Sequence, residues 1–149
     1  MPKSRFVYVI YMAASAEAVW NALLDGEFTR QYWEHENVSD WVPGSSWEHR
    51  LANDPRTVAI LGEVLEASPP HRLVITWAEP SDRTRRDRHS RVTFDIEPVG
   101  DMVRLTITHD DLEAGSEMER KISDGWPRVL SSLKSLLETG RPLKTWAGR

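Results

Sequence analysis

The chain contains no cysteine among its 149 residues, which excludes disulfide cross-links, thiolate catalysis and metal centres held by cysteine. It also has no long hydrophobic run. The apolar segment near its amino terminus, residues 6–12, is too short and too regularly alternating for a signal peptide or a membrane-spanning helix. We therefore expect a soluble cytoplasmic protein with no membrane partner.

A surplus of positive charge is missing as well. The formal net charge is −4, which disfavours a general attraction to nucleic acid or to anionic membranes. The segment 81–91 is a local exception, because it holds five arginines. Asp82 and Asp87 offset these charges, and no aromatic side chain is interleaved for base stacking. The segment indicates a solvated hairpin tip, with contact to an acidic protein partner as the alternative.

The motifs that usually mark catalytic chemistry are absent. The sequence has no nucleophile elbow, no glycine-rich dinucleotide or phosphate loop, and no zinc-protease histidine pair. His35 and His49 lie fourteen positions apart, near several acidic residues, whereas metal sites normally have more closely spaced ligand pairs. The sequence therefore predicts no metal, no cofactor and no catalytic residue. It favours a non-enzymatic protein without deciding the point.

The first part of the chain combines one strand with two short helices. Residues 6–12 are rich in β-branched and aromatic side chains and predict a strand. Ser15 is a typical helix N-cap, and apolar side chains within residues 19–24 share one face of the helix that follows. Gly26 is expected to stop this helix, and residues 27–33 predict a second one.

The middle of the chain alternates between apolar and polar side chains, as strands with one packed and one solvated face do. Five strands are predicted from this pattern, at residues 45–52, 57–68, 72–77, 90–99 and 102–112. Gly62 interrupts the second of them, which often marks a bulge or a close backbone approach. The pattern indicates an antiparallel meander.

A long amphipathic helix follows the strands. Ser116 and Glu119 have the spacing of a capping box, and apolar side chains then recur at intervals of three and four up to Leu137. Gly140 is expected to end the helix. Pro127 lies inside it, so we expect a kink there or a break into two pieces.

These elements predict one α+β domain over residues 1–149, with a core over about 6–143 and a tail, 144–149, that has no usable pattern. A sheet with one apolar face must cover that face, and the final helix is the obvious cover. A strongly curved sheet closing around one helix leaves a space between them, and small molecules bind in such spaces.

Three separated segments resemble the START-like SRPBCC superfamily, whose members have the helix-grip fold. They are "SAEAVWNALLD" with the later "QYW", "GEVLEASPPHRLVITW" and "GWPRVLSSLKSLLETG". The last two are similar to its activator-of-heat-shock-protein-ninety-ATPase-like branch, and the likeness spans residues 6–143. It implies a curved antiparallel sheet of about seven strands around the long carboxy-terminal helix, with a cavity that usually holds a small apolar ligand.

Aromatic and histidine side chains are the candidates for lining that cavity. His109 shares strand parity with the apolar residues of 103–107, so its ring should point inward. It would serve as a hydrogen-bonded core residue or as a polar anchor at the cavity mouth. The candidate lining residues are Trp33, Trp41, Trp47, His49, Trp77, His109, Met118, Ile122 and Trp126.

Three functions are compatible with these patterns. The first is a domain that binds a hydrophobic, apolar or aromatic small molecule in the cavity, serving a transcriptional or stress response. The second, implied by the resemblance, is a protein-interaction module that activates a chaperone ATPase or partners an arsenic-repressor-type regulator. The third is a cyclase, dehydratase or hydrolase acting in the cavity. A monomer and a homodimer are both compatible with the sequence.

Overall fold

The computed structural model describes residues 2–144, and in this part of the chain one antiparallel sheet of seven strands carries three α-helices. None of these helices is long and apolar enough to cross a membrane. Two short 3₁₀ turns, Pro80–Asp82 and Arg86–Arg88, lie between the fifth and sixth strands. The strands and helices are β1 (Lys3–Met12), α1 (Ala16–Leu24), α2 (Gly26–Tyr32), β2 (His35–Ser39), β3 (Ser46–Leu51), β4 (Asp54–Ser68), β5 (Arg72–Trp77), β6 (Ser90–Val99), β7 (Met102–Glu113) and α3 (Glu117–Thr139).

The sheet has the strand order β1-β7-β6-β5-β4-β3-β2, and every neighbouring pair is antiparallel. The first strand therefore lies beside the last, while β2 forms the opposite edge. α3 covers the apolar face and joins the same core cluster as the inward side chains of β5, β6 and β7. The predicted helix-grip fold, with the long helix over a seven-stranded sheet, is confirmed.

Asp25 forms the junction between the two short helices. α1 begins after Ser15, whose side chain accepts a hydrogen bond from the amide of Ala18, as predicted. It ends at Leu24, and the carboxylate of Asp25 then accepts from the amide of Glu27 and caps α2. The first helix thus ends just before Gly26, as expected, and Gly26 is also the first residue of α2.

The structure contains one strand, β2, that the alternation of apolar and polar residues did not predict. Its inward-facing side chains are polar, since His35 and Asn37 are both buried while Glu36 and Val38 are only half-buried. A strand whose buried positions are polar gives no apolar alternation for a sequence pattern to detect.

α3 runs as one helix through Pro127. Its first turn is capped by Ser116, which accepts from the amide of Glu119, and it ends at Gly140 with a φ of +84°. The expected break into two pieces is not present. The helix interior tolerates the missing amide hydrogen of Pro127 because packing of the apolar stripe against the sheet stabilises the whole helix.

Gly62 marks a close approach between β4 and β5, as its position in the strand predicted. A Cβ at Gly62 would lie 2.0 Å from the carbonyl oxygen of Thr76, well inside the minimum separation of non-bonded atoms. The same carbonyl accepts a hydrogen bond of 2.8 Å from Nε1 of Trp47. Gly62 therefore lets two strands and one tryptophan converge on the backbone just before Trp77.

Candidate functional site

A cleft of about 540 Å³ opens to solvent between the amino-terminal half of α3 and the sheet. Its volume lies within the range of small-molecule sites, about 300–1,000 Å³. Ala59 and Ile60 of β4 form one side, and Lys121 and Asp124 of α3 are charged residues at the exposed rim. Six of the nine predicted lining residues lie in its wall: Trp33, His49, Trp77, Met118, Ile122 and Trp126.

Trp33 is the centre of the aromatic wall. It is the C-cap residue of α2, and its ring centroid lies 4.6 Å from that of His49 on β3. The corresponding distances are 5.3 Å to Trp126 on α3 and 6.4 Å to Trp77 at the end of β5. Aromatic contacts of this kind contribute about 0.5–1.5 kcal/mol per pair beyond the area that they bury. Four separate elements thus place aromatic rings on one wall.

Trp77 has an indole N–H without an acceptor. The residue is 6% exposed, and within residues 2–144 its Nε1 is the one buried side-chain nitrogen or oxygen that lacks a hydrogen-bond partner. A buried unpaired donor costs about 1–3 kcal/mol. The neighbouring rings of Trp47, Trp126 and His109, each with its centroid 5.5 Å away, hold Trp77 in place by packing alone.

His35 and His49 form a stacked pair in the cleft lining. Their ring centroids are 4.1 Å apart, and the ring planes are inclined by 6°. Nδ1 of His35 lies 2.8 Å from the carbonyl oxygen of Trp33, which can only accept, so this nitrogen carries the hydrogen. Within the described residues, no group of three or more histidine, aspartate or glutamate side chains is arranged to hold a metal ion.

The tautomer of His49 follows from its contact with Asn37. The amide nitrogen Nδ2 of Asn37 donates to the carbonyl oxygen of Leu23, which directs Oδ1 of Asn37 towards Nδ1 of His49 at 2.5 Å. An amide oxygen can only accept, so Nδ1 of His49 carries the hydrogen and Nε2 keeps its lone pair. Burial, followed by repulsion from His35, lowers the pKa of His49 well below its usual range, so the ring is neutral near pH 7.

His109 lies behind the cleft wall in a closed hydrogen-bond relay. Nε1–H of Trp126 donates to Nδ1 of His109 at 3.1 Å, so Nε2 of the neutral ring carries the hydrogen and donates to Oγ of Ser90 at 2.8 Å. Ser90 in turn donates to the carbonyl oxygen of Trp77 at 3.1 Å. Burial lowers the pKa of His109 to about 3, with Asp110 acting weakly in the opposite direction.

Three predicted lining residues therefore lie outside the cleft wall. His109 is buried with both ring nitrogens bonded to the protein, which matches the hydrogen-bonded core alternative and not an anchor at the mouth. Trp47 is buried behind Trp77 and His49, and Trp41 packs on Trp47 at a centroid distance of 6.4 Å. Strand parity predicted that Trp47 and His109 point inward, but it does not indicate how far along the sheet the cleft extends.

His35 is a buried polar lining residue that the sequence pattern missed. Its burial becomes visible only when residues 35–39 are paired with β3, where His35 lies opposite Leu51 and Asn37 lies opposite His49. The shared parity of His35 and Asn37 was the available signal. It was weak, because two polar residues two positions apart are common on exposed strands as well.

The arginine-rich segment 81–91 is largely neutralised by ion pairs. These contacts lie at the surface, where each contributes about 0–1 kcal/mol. The predicted offset by acidic residues is present, and it includes carboxylates from neighbouring strands. The pairs are Arg85–Asp87 at 3.2 Å, Arg86–Glu63 at 3.2 Å, Arg88–Asp82 at 3.8 Å and Arg91–Asp110 at 2.8 Å.

Comparison with known proteins connects this architecture to one family. Residues 13–138 match the profile of the family described as "Activator of Hsp90 ATPase homolog 1-like protein". No curated protein matches the chain. The family match covers both the cleft-forming strands and most of α3, so the aromatic wall lies inside the matched region.

Three solved structures show the same fold. A protein from Mesorhizobium loti superposes with a TM-score of 0.76 at 21% identity, over 91% of this chain and 97% of its own. The Aha1 dimer from Colwellia psychrerythraea gives 0.75 at 20% identity, over 92% and 98%. An HSP90 activator from Plasmodium falciparum gives 0.73 at 24% identity, over 94% and 99%.

Proposed function

The chain belongs to the family of Activator of Hsp90 ATPase homolog 1-like proteins, and from that premise we propose that it is a small-molecule-binding domain. The ligand is flat and largely apolar, and it lies in the cleft between the sheet and α3. The observation that carries the proposal is the convergence of Trp33, Trp77 and Trp126 on one wall of an open cleft of about 540 Å³.

Burial of apolar surface would supply most of the affinity. Transfer of apolar surface out of water contributes about 25 cal/mol per Å², and tryptophan faces offer large rigid areas that lose little conformational entropy on binding. Met118 and Ile122 close the side formed by α3, with Met118 still half-exposed at the mouth. A flexible methionine at the mouth adapts to ligands of different outline.

A matched pair of substitutions tests this proposal. Met118→Glu places a charge in the cleft mouth, whereas Met102→Glu makes the same change at an exposed site where β7 begins. Calorimetric titration with naphthalene-sized aromatic compounds should give binding in the wild type and in Met102→Glu, and at least tenfold weaker binding in Met118→Glu. The proposal fails if no such compound binds, or if both variants bind as the wild type does.

A protein-interaction role is the second candidate. The observation in its favour is the apolar outer face of β1, where Val7, Val9 and Tyr11 are all exposed, together with the fold shared with the HSP90 activator from Plasmodium falciparum. An ATPase assay of an Hsp90-type chaperone, with wild-type protein and with Val9→Glu, tests it. Stimulation that Val9→Glu abolishes would support the role, and the absence of stimulation by the wild type would exclude it for that chaperone.

A further inference from the structure

Nε2 of His49 is a polar atom that the aromatic wall leaves accessible to a ligand. The residue is only 3% exposed, covered by the rings of His35, Trp33 and Trp77. Within residues 2–144, Nε2 of His49 has no hydrogen-bond partner. In the same residues, the one side-chain nitrogen or oxygen that lacks a partner and is also sealed from solvent is Nε1 of Trp77, so Nε2 of His49 is not sealed. Since His49 lines the cleft and Nε2 is not sealed from solvent, we infer that Nε2 reaches the cleft.

Hydrogen bonds on the other side of the ring determine that Nε2 of His49 is an acceptor. The carbonyl oxygen of Leu23 orients the amide of Asn37, and Oδ1 of Asn37 takes the hydrogen on Nδ1 of His49. The backbone amide of Asn37 is itself held by Oγ1 of Thr29 at 3.0 Å. Because the carbonyl oxygen of Leu23 and Oδ1 of Asn37 can only accept, the neutral His49 ring carries its hydrogen on Nδ1 and keeps a lone pair on Nε2.

We propose that the cleft selects aromatic ligands that carry an uncharged hydrogen-bond donor, an aryl hydroxyl or a ring N–H, which donates to Nε2 of His49. This inference rests on the proposed function and specifies the ligand class of the same cleft. The aromatic ring of the ligand packs against Trp33 and Trp126 while its donor meets Nε2 of His49. A ligand without a donor leaves that acceptor desolvated and unpaired, which weakens binding.

Aromatic carboxylates are disfavoured for two reasons. The lone pair of Nε2 repels an anionic oxygen, and protonation of His49 to relieve this repulsion is opposed by burial and then by the adjacent His35. Among the described residues that line the cleft, Lys121 is the cation. It lies at the exposed rim, 3.8 Å from Glu117, so it does not compensate a buried anion.

Matched ligands test the selectivity. Wild-type protein is titrated with β-naphthol, with its methyl ether and with β-naphthoate, followed by calorimetry and by shifts of the indole N–H resonances in NMR spectra. We expect β-naphthol to bind about tenfold more tightly than the ether, and the carboxylate to bind least. Indole and its N-methyl derivative make the same comparison for a ring N–H. Equal affinities within both pairs would overturn the inference even if every compound binds.

Two substitutions of His49 locate the effect at the proposed atom. His49→Asn keeps an amide N–H near the position of Nδ1 to donate to Asn37 but removes the acceptor in the cleft, so the preference for β-naphthol should disappear while the ether binds as before. His49→Gln can place an amide oxygen near the position of Nε2 and should retain the preference. A preference that survives in His49→Asn would overturn the inference, whereas the failure of every compound to bind would instead refute the proposed function.

Discussion

The indole N–H of Trp126 on α3 donates a hydrogen bond of 3.1 Å to Nδ1 of His109 on β7. This is a buried polar contact within the apolar core between helix and sheet. A helix that slid or rotated on the sheet would leave both groups unpaired, so the contact favours one arrangement of α3. Because Trp126 also lines the cleft, the same bond sets the position of one cleft wall.

The relay behind the wall predicts a specific stability loss for Ser90→Ala. Removing the hydroxyl leaves Nε2–H of His109 without an acceptor in the interior, which should lower the free energy of unfolding by about 1–3 kcal/mol. Urea denaturation measures this change. Ser123→Ala is the control, since that half-buried hydroxyl donates only to the carbonyl oxygen of Glu119 within α3, and its loss should cost less than about 0.5 kcal/mol. Equal small losses in both variants would contradict the relay.

The buried histidines predict that acid destabilises the fold. His49 and His109 have lowered folded-state pKa values, about 3 for His109, so below about pH 6.5 the unfolded chain binds protons that the folded chain does not. Stability should therefore be full above pH 7 and fall as the pH drops towards 3, by about 1.4 kcal/mol per pH unit for each histidine.

His109→Gln isolates the contribution of one histidine to this pH dependence. The slope of unfolding free energy against pH, measured by urea denaturation at several pH values between about 4 and 6.5, should be smaller in the variant by about 1.4 kcal/mol per pH unit. Carboxylates contribute equally to both proteins and cancel in the comparison. An unchanged slope would mean that His109 titrates near its ordinary pKa in the folded state.

Replacing Trp47 or Trp77 by phenylalanine should lower the free energy of unfolding by different amounts. Trp77→Phe removes a buried N–H that has no acceptor, whereas Trp47→Phe also breaks a bond to the carbonyl oxygen of Thr76. Both lose similar apolar area, so Trp47→Phe should be the more destabilising by about 1–3 kcal/mol in thermal or urea unfolding. The reverse order would show that the N–H of Trp77 has a partner in solution.

The strand glycine predicts a large steric effect. Gly62→Ala forces a Cβ against the carbonyl oxygen of Thr76 and should cost about 3 kcal/mol or more, because strand backbone must move. Gly44→Ala is the comparison, since Gly44 has a φ of +93° but open space around it, and should cost only about 1–2 kcal/mol of backbone strain. The denaturation midpoints of the two variants measure these losses. Equal losses of stability in Gly62→Ala and Gly44→Ala would exclude a close approach between Gly62 and Thr76.

The predictable part of the fold is the part with regular apolar periodicity. The strand alternation of β6 and β7 and the stripe of α3 were assigned correctly, because each buries side chains at the repeat of its own backbone. β2 was missed because its buried residues are His35 and Asn37. Their burial is tolerated only because Trp33 and Leu23, on other elements, supply acceptors for them.

The candidate site shows the same division. Inward parity predicted the direction of His49 and His109 correctly, yet one faces the cleft with a lone pair and the other is bonded at both nitrogens. Parity is a local property of a strand, whereas the depth of a side chain below the cleft depends on which helix packs over it. Trp126 donates a hydrogen bond to His109, whereas within the described residues no side chain is hydrogen-bonded to Nε2 of His49.

The class of fold, the order of most elements and the set of aromatic residues available for a binding wall follow from local sequence, since burial period and capping are encoded by neighbours along the chain. The tertiary structure alone decided which polar atoms are bonded and which face the cleft. Hydrogen bonds such as those from Trp126 to His109 and from His49 to Asn37 join residues on different elements, and their geometry exists only after the elements have packed.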